Sequence, residues 1–208
     1  MNNDMNYLSP DEYEAHGLEA TTPSCWVSAA SALIDAYCRR PTLEVAQYRE
    51  RLRLAGGRNT VRLSYLPLAV VAPATTPFVN ARVRYAQPRR GDDELTADVA
   101  QAFSLPGSWT ALDPASIEYS SETGELTLPR NPLGLGFNEA EITYTAGLAD
   151  LPAPVKFACA QIVRNAQATP ALNVRAGSLD RMHLEYFADT LLDDTVRKLL
   201  APYVAQKL

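Results

Sequence analysis

The chain has 208 residues and a formal net charge of −5, with 47% hydrophobic and 21% charged residues. These proportions are ordinary for a globular protein, and the length fits one domain or one domain with an inserted lobe. No apolar run approaches the roughly eighteen residues that a transmembrane helix needs, and the acidic N-terminus lacks the basic and apolar regions of a signal peptide. The sequence therefore argues against a membrane-spanning chain, and we expect no membrane partner.

Two helices are predicted near the N-terminus. Ser9 begins a capping-box pattern with Glu12 three residues later, which predicts a short helix that ends near Gly17. A second helix begins at Thr22-Pro23, and Pro41 ends it. The face that we expect this helix to bury comprises Trp26, Ala29, Ala30, Leu33, Ile34 and Tyr37.

The middle of the chain changes character. Between Thr60 and Thr145, segments with alternating apolar and polar residues are separated by prolines and glycines, as is typical of strands. One segment, SIEYSSETGELTL, predicts a hairpin with its turn at 122–125. This part of the chain is therefore predicted to be rich in β-structure.

A strand is followed by a helix within residues 142–165. Gly147 ends the strand, and Pro152 and Pro154 prevent further strand pairing, since proline lacks a backbone N–H. The helix that follows is amphipathic, with a predicted buried face of Val155, Ala158, Cys159, Ile162, Val163 and Ala166. A last helix is predicted from about Ala188 to Val204.

These elements predict an α+β fold class, in which N- and C-terminal helices form a helical body with a central β-rich inserted lobe. Residues 1–58 are assigned to the N-terminal helices and residues 59–147 to the β-rich lobe. Residues 148–208 are assigned to the C-terminal helices and tail of the helical body.

Catalytic motifs are absent from the sequence. The two histidines, His16 and His183, lie far apart, and no nucleophile-elbow, zinc-protease, Walker or dinucleotide-binding pattern occurs. The three cysteines lack metal-ligand spacing, so reduced buried thiols are the better interpretation. Gly134 and Gly136 indicate a turn, and the acidic residues 92–94 indicate a solvated loop. We expect no enzyme activity, no catalytic residue, no cofactor and no metal.

Charge is distributed in blocks. Residues 1–38 carry six acids and no Lys or Arg, and residues 39–90 carry eleven arginines against two glutamates. Residues 91–150 carry eleven acids against one arginine, and residues 151–208 carry seven bases against five acids. Three interpretations remain open: solvated faces, head-to-tail association of a basic and an acidic flank on successive copies, or a nucleic-acid patch within Arg39–Arg90.

The order of these motifs resembles the head–tail connector (adaptor) proteins of tailed bacteriophages. That family has a V-x-Y-x-A-G strand end and a P-x-x-(I/V)-K-x-A helix start. The matching residues here are Tyr144, Ala146, Gly147, Pro152, Lys156 and Ala158. Upstream, LIDAYCRRP at Leu33–Pro41 resembles the first core helix of the family, and LLDDTVRKLLAPY at Leu191–Tyr203 resembles its C-terminal helix.

This resemblance implies a structural virion protein of the phage neck, made in the host cytoplasm. Its partners would be copies of itself in a ring of about twelve, the portal protein, a downstream neck or tail protein, and duplex DNA that passes without sequence-specific binding. The ring would join capsid to tail, extend the DNA channel and help to retain the packaged genome. Acidic residues lining that channel would repel the DNA phosphates.

The resemblance also assigns roles to residues. Portal contact is transferred to the C-terminal segment, with Arg197, Lys198, Pro202, Tyr203 and Leu208 as its candidates. An architectural role, in which residues fix how lobe and helix meet, falls to the residues of the strand–helix joint: Tyr144, Gly147, Pro152 and Pro154. Two alternatives stay open: a tail-terminator or stopper protein of the neck, and a DNA-binding module that uses the Arg39–Arg90 block.

Overall fold

The computed structural model describes residues 6–54, 58–86, 107–132, 134, 136–168, 176–179, 182–185 and 191–205. The chain divides into two compact units. Unit 1 comprises Met1–Leu43 and Asp150–Val204, and unit 2 comprises Glu44–Ala149 and Ala205–Leu208.

The described residues contain helices, short 3-10 turns and antiparallel strands. The helices are α1 (Ser24–Cys38), α2 (Ala153–Ala168) and α3 (Asp194–Leu200). The 3-10 turns are Pro10–Glu12, Glu14–His16, Pro114–Ser116 and Ala201–Tyr203. The strands are β1 (Ala46–Arg53), β2 (Thr60–Arg62), β3 (Phe78–Arg84), β4 (Thr110–Leu112), β5 (Glu118–Tyr119), β6 (Glu125–Thr127), β7 (Glu139–Ala146), β8 (Ala176–Leu179) and β9 (Met182–Glu185).

The core of unit 1 forms where α2 packs against α1 and α3. All six residues of the predicted α2 face are buried, so that prediction is confirmed. Helix α3 is shorter than predicted, because the Asp193 side chain accepts the N–H of Val196 at 2.8 Å and starts the helix there. The strands β8 and β9 form a separate hairpin in this unit.

The buried face of α1 differs from the predicted one. The helix buries Val27, Ala30, Ser31, Ile34 and Cys38, whereas Trp26 is 39% exposed. Ser31 can lie in the core because its hydroxyl donates to the carbonyl of Val27 at 2.8 Å and accepts the N–H of Tyr7 at 3.0 Å. A serine whose hydrogen bonds are satisfied can therefore occupy a core position, and a prediction based only on the spacing of apolar residues does not include it.

Unit 2 is built from two antiparallel sheets. The first has the strand order β1-β7-β3-β4, and the second has the order β2-β6-β5. The predicted hairpin turn is confirmed, since β5 and β6 pair across it and Gly124 there has φ 66°. Residues of both sheets share one hydrophobic core, and the Phe78 and Tyr119 rings meet edge to face across it at 5.2 Å.

The predicted fold class is wrong. The described chain is mixed, with three helices, two antiparallel sheets and the separate β8–β9 hairpin, and its helices are not N- and C-terminal elements that flank a helical body. Strand β1 lies within residues 1–58, assigned to N-terminal helices, and the β8–β9 hairpin lies within residues 148–208, assigned to C-terminal helices and tail. Residues 46–53 form a strand rather than part of a helix because their sequence, AQYRERLR, alternates. From 49 to 53 every second residue is an arginine, as in a half-buried strand.

Candidate functional site

One outer sheet face gathers much of the arginine block. Arg49, Arg51 and Arg53 alternate along β1, and Arg82 and Arg84 alternate along β3. The central strand β7 lies between these two strands and contributes two glutamates to the same face. We call this surface the arginine face; it comprises Arg49, Arg51, Arg53, Arg82, Arg84, Trp109, Glu139 and Glu141.

The strand register brings the opposite charges together. Arg53 and Arg84 lie directly across from Glu139, and Arg51 and Arg82 lie directly across from Glu141. Residues that share a face at opposite and diagonal positions of neighbouring strands are close enough to interact.

Glu139 is the central acceptor of this face. Its carboxylate lies 2.8 Å from Nε of Arg51, 2.6 Å from Nε of Arg84 and 3.5 Å from Nε of Arg53. Burial alone would raise the pKa of Glu139, but the hydrogen bonds from Arg51 and Arg84 outweigh it and hold this pKa below its ordinary value. The carboxylate is therefore ionised at neutral pH.

Glu141 accepts from arginines on both sides. Arg49 Nη2 lies 2.7 Å and Arg82 Nη2 lies 2.8 Å from the same carboxylate oxygen. Burial would raise the pKa of Glu141, and the bonds from Arg82 and Arg49 lower it overall. Both glutamate side chains are at most 13% exposed, whereas that of Arg49 is 62% exposed. The solvent-exposed groups of this face are therefore mainly guanidinium groups, and the carboxylates lie beneath them.

Trp109 covers part of the arginine face. Its ring centroid lies 4.5 Å from the guanidinium carbon of Arg84, 4.8 Å from that of Arg82 and 5.6 Å from that of Arg51. Cations at these distances from an indole ring are attracted to its electron-rich face. The ring and the two glutamates together hold the arginines in defined positions.

The outer face of the second sheet has the opposite charge. Glu118 on β5, Glu125 on β6 and Glu122 in the turn between them are exposed, with Arg62 of β2 opposite Glu125. The Arg62 guanidinium donates to the carbonyl of Thr123 at 2.8 Å. We call the surface of Arg62, Glu118, Glu122 and Glu125 the acidic face.

The candidate portal-contact residues lie at the end of unit 1. Arg197 and Lys198 are exposed in the last turns of α3, and Pro202 is exposed in the 3-10 turn that follows. Tyr203 is half-buried against the core of unit 1. Leu208 lies outside the described residues.

Tyr144 is fully buried on the inner side of β7. Its hydroxyl donates to the carboxylate of Glu50 and accepts the N–H of Tyr65 at 3.2 Å. Glu50 also accepts the hydroxyl of Ser64 at 3.0 Å and its N–H at 3.3 Å. This network fixes the connection at 64–65 to the sheet.

Backbone geometry requires glycine at position 147. Gly147 has φ 131°, and a Cβ at this position would lie 2.2 Å from the carbonyl oxygen of Glu44. The carbonyl of Pro152 accepts the N–H groups of Val155 and Lys156, at the start of α2. Pro154 is the second residue of α2, where a missing N–H leaves no helix bond unmade.

Unit 1 contains a second tyrosine–carboxylate network. The hydroxyl of Tyr7 donates to the carboxylate of Asp35 and accepts the N–H of Leu43 at 2.8 Å. Tyr7 is 1% exposed and Leu43 is fully buried. The sequence interpretation assigned no role to Tyr7, Asp35 or Glu50, because their pairing depends on residues far apart in the chain.

The thiols and acidic groups give no reactive cluster among the described residues. Cys38 and Cys159 are buried, and burial raises the pKa of each thiol to about 11, but Cys25 is exposed, so the predicted burial of all three is wrong. No three His, Cys, Asp or Glu side chains of the described residues come together as metal ligands. The acidic residues 92–94 lie outside the described residues.

No protein-family model and no curated protein matches the chain. Among the described helices, none combines the length and the apolar character needed to cross a membrane.

Proposed function

We propose that the protein is a structural head–tail connector of a tailed bacteriophage. Copies of the chain would form a ring below the portal, of about twelve subunits, that joins capsid to tail and extends the DNA channel. The ring would also bind a downstream neck or tail protein and let duplex DNA pass.

The observation that carries this proposal is the strand–glycine–proline–helix motif and the constrained positions of its residues. Tyr144 and Ala146 are buried in β7, and Gly147 has a backbone conformation and a close contact that exclude a side chain. Lys156 forms an ion pair with Glu12, and Ala158 is buried in the α2 face. Burial, the lack of space for a side chain at Gly147 and the ion pair of Lys156 each restrict which residue type fits. These restrictions give a physical reason why proteins of one family would share the motif.

The proposed portal contact uses the end of α3. Arg197, Lys198 and Pro202 are exposed, so a partner can reach them without local unfolding. Val196 and Leu200 are buried in the core of unit 1 and serve folding instead.

Oligomeric state, alone and with a portal, tests the proposal. The chain and the portal protein of the same genome would be purified separately, mixed, and analysed by light scattering and negative-stain electron microscopy. A large ring, or a ring that forms only on the portal, is the expected result. A chain that remains monomeric and ignores the portal contradicts the proposal.

Variants of the portal contact refine this experiment. Lys198→Glu with Arg197→Glu should reduce portal binding at least about tenfold, since reversing both exposed charges of the contact destroys its electrostatic complementarity with a bound partner. Glu14→Arg, an exposed charge change elsewhere in unit 1, is the matched control and should leave portal binding unchanged.

A DNA-binding module is the second candidate, and the arginine face is the observation that favours it. Five guanidinium groups on one face could contact several phosphates. Binding to random duplex DNA would then weaken steeply with salt, with a log–log slope of about −0.9 for each phosphate contacted. Absence of such binding at low salt excludes this function.

A further inference from the structure

We propose that the arginine face of one copy binds the acidic face of the next copy, in a head-to-tail contact between their second units. The inference deepens the proposed ring assembly and rests on it, since it names the surfaces through which neighbouring subunits meet.

Charge complementarity is the first argument. The arginine face carries five arginines against two glutamates, whereas the acidic face carries three glutamates against one arginine. The first surface therefore has a net charge of +3 and the second a net charge of −2. Planar guanidinium groups bind carboxylates with two parallel hydrogen bonds, which gives such a contact a defined register.

The positions of the two faces within unit 2 are the second argument. The two sheets pack their inner sides against one shared core, so the outer faces of the two layers point in opposite directions. A two-fold contact through either face would bring like charges together. A head-to-tail contact brings opposite charges together, and contacts of this type close into rings or continue as filaments.

The fixed positions of the arginines are the third argument. Arg51 and Arg84 use their Nε atoms to bind Glu139, and both guanidinium groups lie against Trp109. Donors that are already held in place lose less conformational freedom when a partner binds.

The arginine face fits carboxylates better than it fits duplex DNA. Glu139 and Glu141 lie between the arginines and leave the face a net charge of +3, which matches a small acidic face better than the continuous row of phosphates on duplex DNA. The acidic face of the same unit supplies a matching set of carboxylates in every copy. These observations favour a second copy of this chain as the occupant.

A charge-swap experiment on the full chain tests the contact. One variant carries Arg49→Glu and Arg51→Glu, and the other carries Glu118→Arg and Glu125→Arg. Each variant alone opposes like charges and should weaken self-association at least about tenfold. An equimolar mixture should restore it, because each reversed face then meets an oppositely charged face. Sedimentation velocity at low salt measures the association.

Controls separate this contact from general charge effects. Arg58→Glu and Glu14→Arg change exposed charges outside both faces and should leave self-association unchanged. Circular dichroism and thermal melting check that the charge-swap variants fold. The wild-type chain provides a test that needs no variant: its self-association should weaken as salt is raised, because salt screens exposed charges.

Several results would overturn the inference. These are a chain that stays monomeric at low salt and high concentration, self-association that salt does not weaken, and folded charge-swap variants that associate as the wild type does. Duplex DNA binding that Arg49→Glu and Arg51→Glu abolish, with unchanged self-association, would instead assign the arginine face to phosphates.

The inference and the proposed function can fail separately. If rings form on the portal but the charge-swap variants assemble normally, the surface assignment is wrong and the connector function stands. If the chain ignores the portal but the mixed variants recover salt-sensitive association, the connector function is wrong and the head-to-tail contact stands.

Discussion

The two units each contain one buried tyrosine that performs the same task in different surroundings. Tyr7 in unit 1 and Tyr144 in unit 2 each donate a hydroxyl proton to a carboxylate and accept a backbone N–H. The N–H that Tyr7 accepts belongs to the fully buried Leu43, whereas the bond between Tyr65 and Tyr144 is only partly buried. A buried tyrosine–carboxylate pair can therefore fix a connecting segment to either a helix or a sheet. We expect the loss of stability on removing the tyrosine hydroxyl to depend on whether water can reach the backbone N–H that it accepts.

Removal of each hydroxyl tests this comparison with the largest expected effect. Tyr7→Phe should lower the free energy of unfolding by about 2–3 kcal/mol, because it leaves the buried N–H of Leu43 without an acceptor. Tyr144→Phe should cost about 1–2 kcal/mol, because water can replace the hydroxyl at Tyr65. Urea denaturation measures both values.

Tyr37→Phe is the matched control for these two variants. Its hydroxyl makes a long, exposed bond of 3.4 Å to the carbonyl of Arg197, so its loss should change stability by less than about 0.5 kcal/mol. If Tyr144→Phe proved more costly than Tyr7→Phe, water access would not be the deciding difference.

Substitution of Glu50, the carboxylate of the network in unit 2, should have the next largest effect on the free energy of unfolding. The N–H and hydroxyl of Ser64 and the hydroxyl of Tyr144 converge on Glu50. Glu50→Gln places an amide NH2 among donors and should cost about 1–2 kcal/mol. Glu118→Gln changes an exposed glutamate and is the control, with an expected change near zero in the same denaturation assay.

Alkaline pH should weaken both networks. Burial and the carboxylate hydrogen bonds raise the pKa of Tyr7 and of Tyr144 above the ordinary value of 10.0. A raised pKa in the folded state means that its stabilisation is complete below pH 10 and is lost as the pH rises above it. Between pH 9 and 11, the free energy of unfolding of each Tyr→Phe variant should therefore fall by about 1.4 kcal/mol less than that of the wild type. Equal losses would show that these hydroxyls do not govern alkaline stability.

The outer side of the same sheet should show the smallest effect. Arg49→Gln removes an ion pair whose arginine is 62% exposed, so the expected cost is about 0.2–1 kcal/mol. The cost should shrink as salt is raised, unlike that of Tyr144→Phe. Denaturation at low and high salt compares the two variants, and a salt-independent cost would indicate packing rather than charge.

Local patterns in the sequence predicted part of this structure. The buried face of α2 and the turn before β6 follow from periodicity and turn residues within short segments. The predicted buried face of α1 is confirmed at Ala30 and Ile34 but missed Ser31, whose hydrogen bond with Tyr7 joins residues 24 positions apart. The arginine face was missed because β1 pairs with β7, and the ion pair of Arg51 and Glu139 joins residues 88 positions apart. For the acidic block at 91–150, solvated faces and head-to-tail association both stayed open as interpretations, yet two of its members, Glu139 and Glu141, bind arginines of their own chain.

The charge pattern of β1 has one more consequence. In the described sheet this strand of eight residues is an edge, and every second position from 49 to 53 is an arginine. Long edge strands invite pairing with strands of other molecules, and a row of like charges discourages it. Arg49, Arg51 and Arg53 therefore also disfavour pairing of this edge strand with strands of other molecules, and so disfavour aggregation of the free chain.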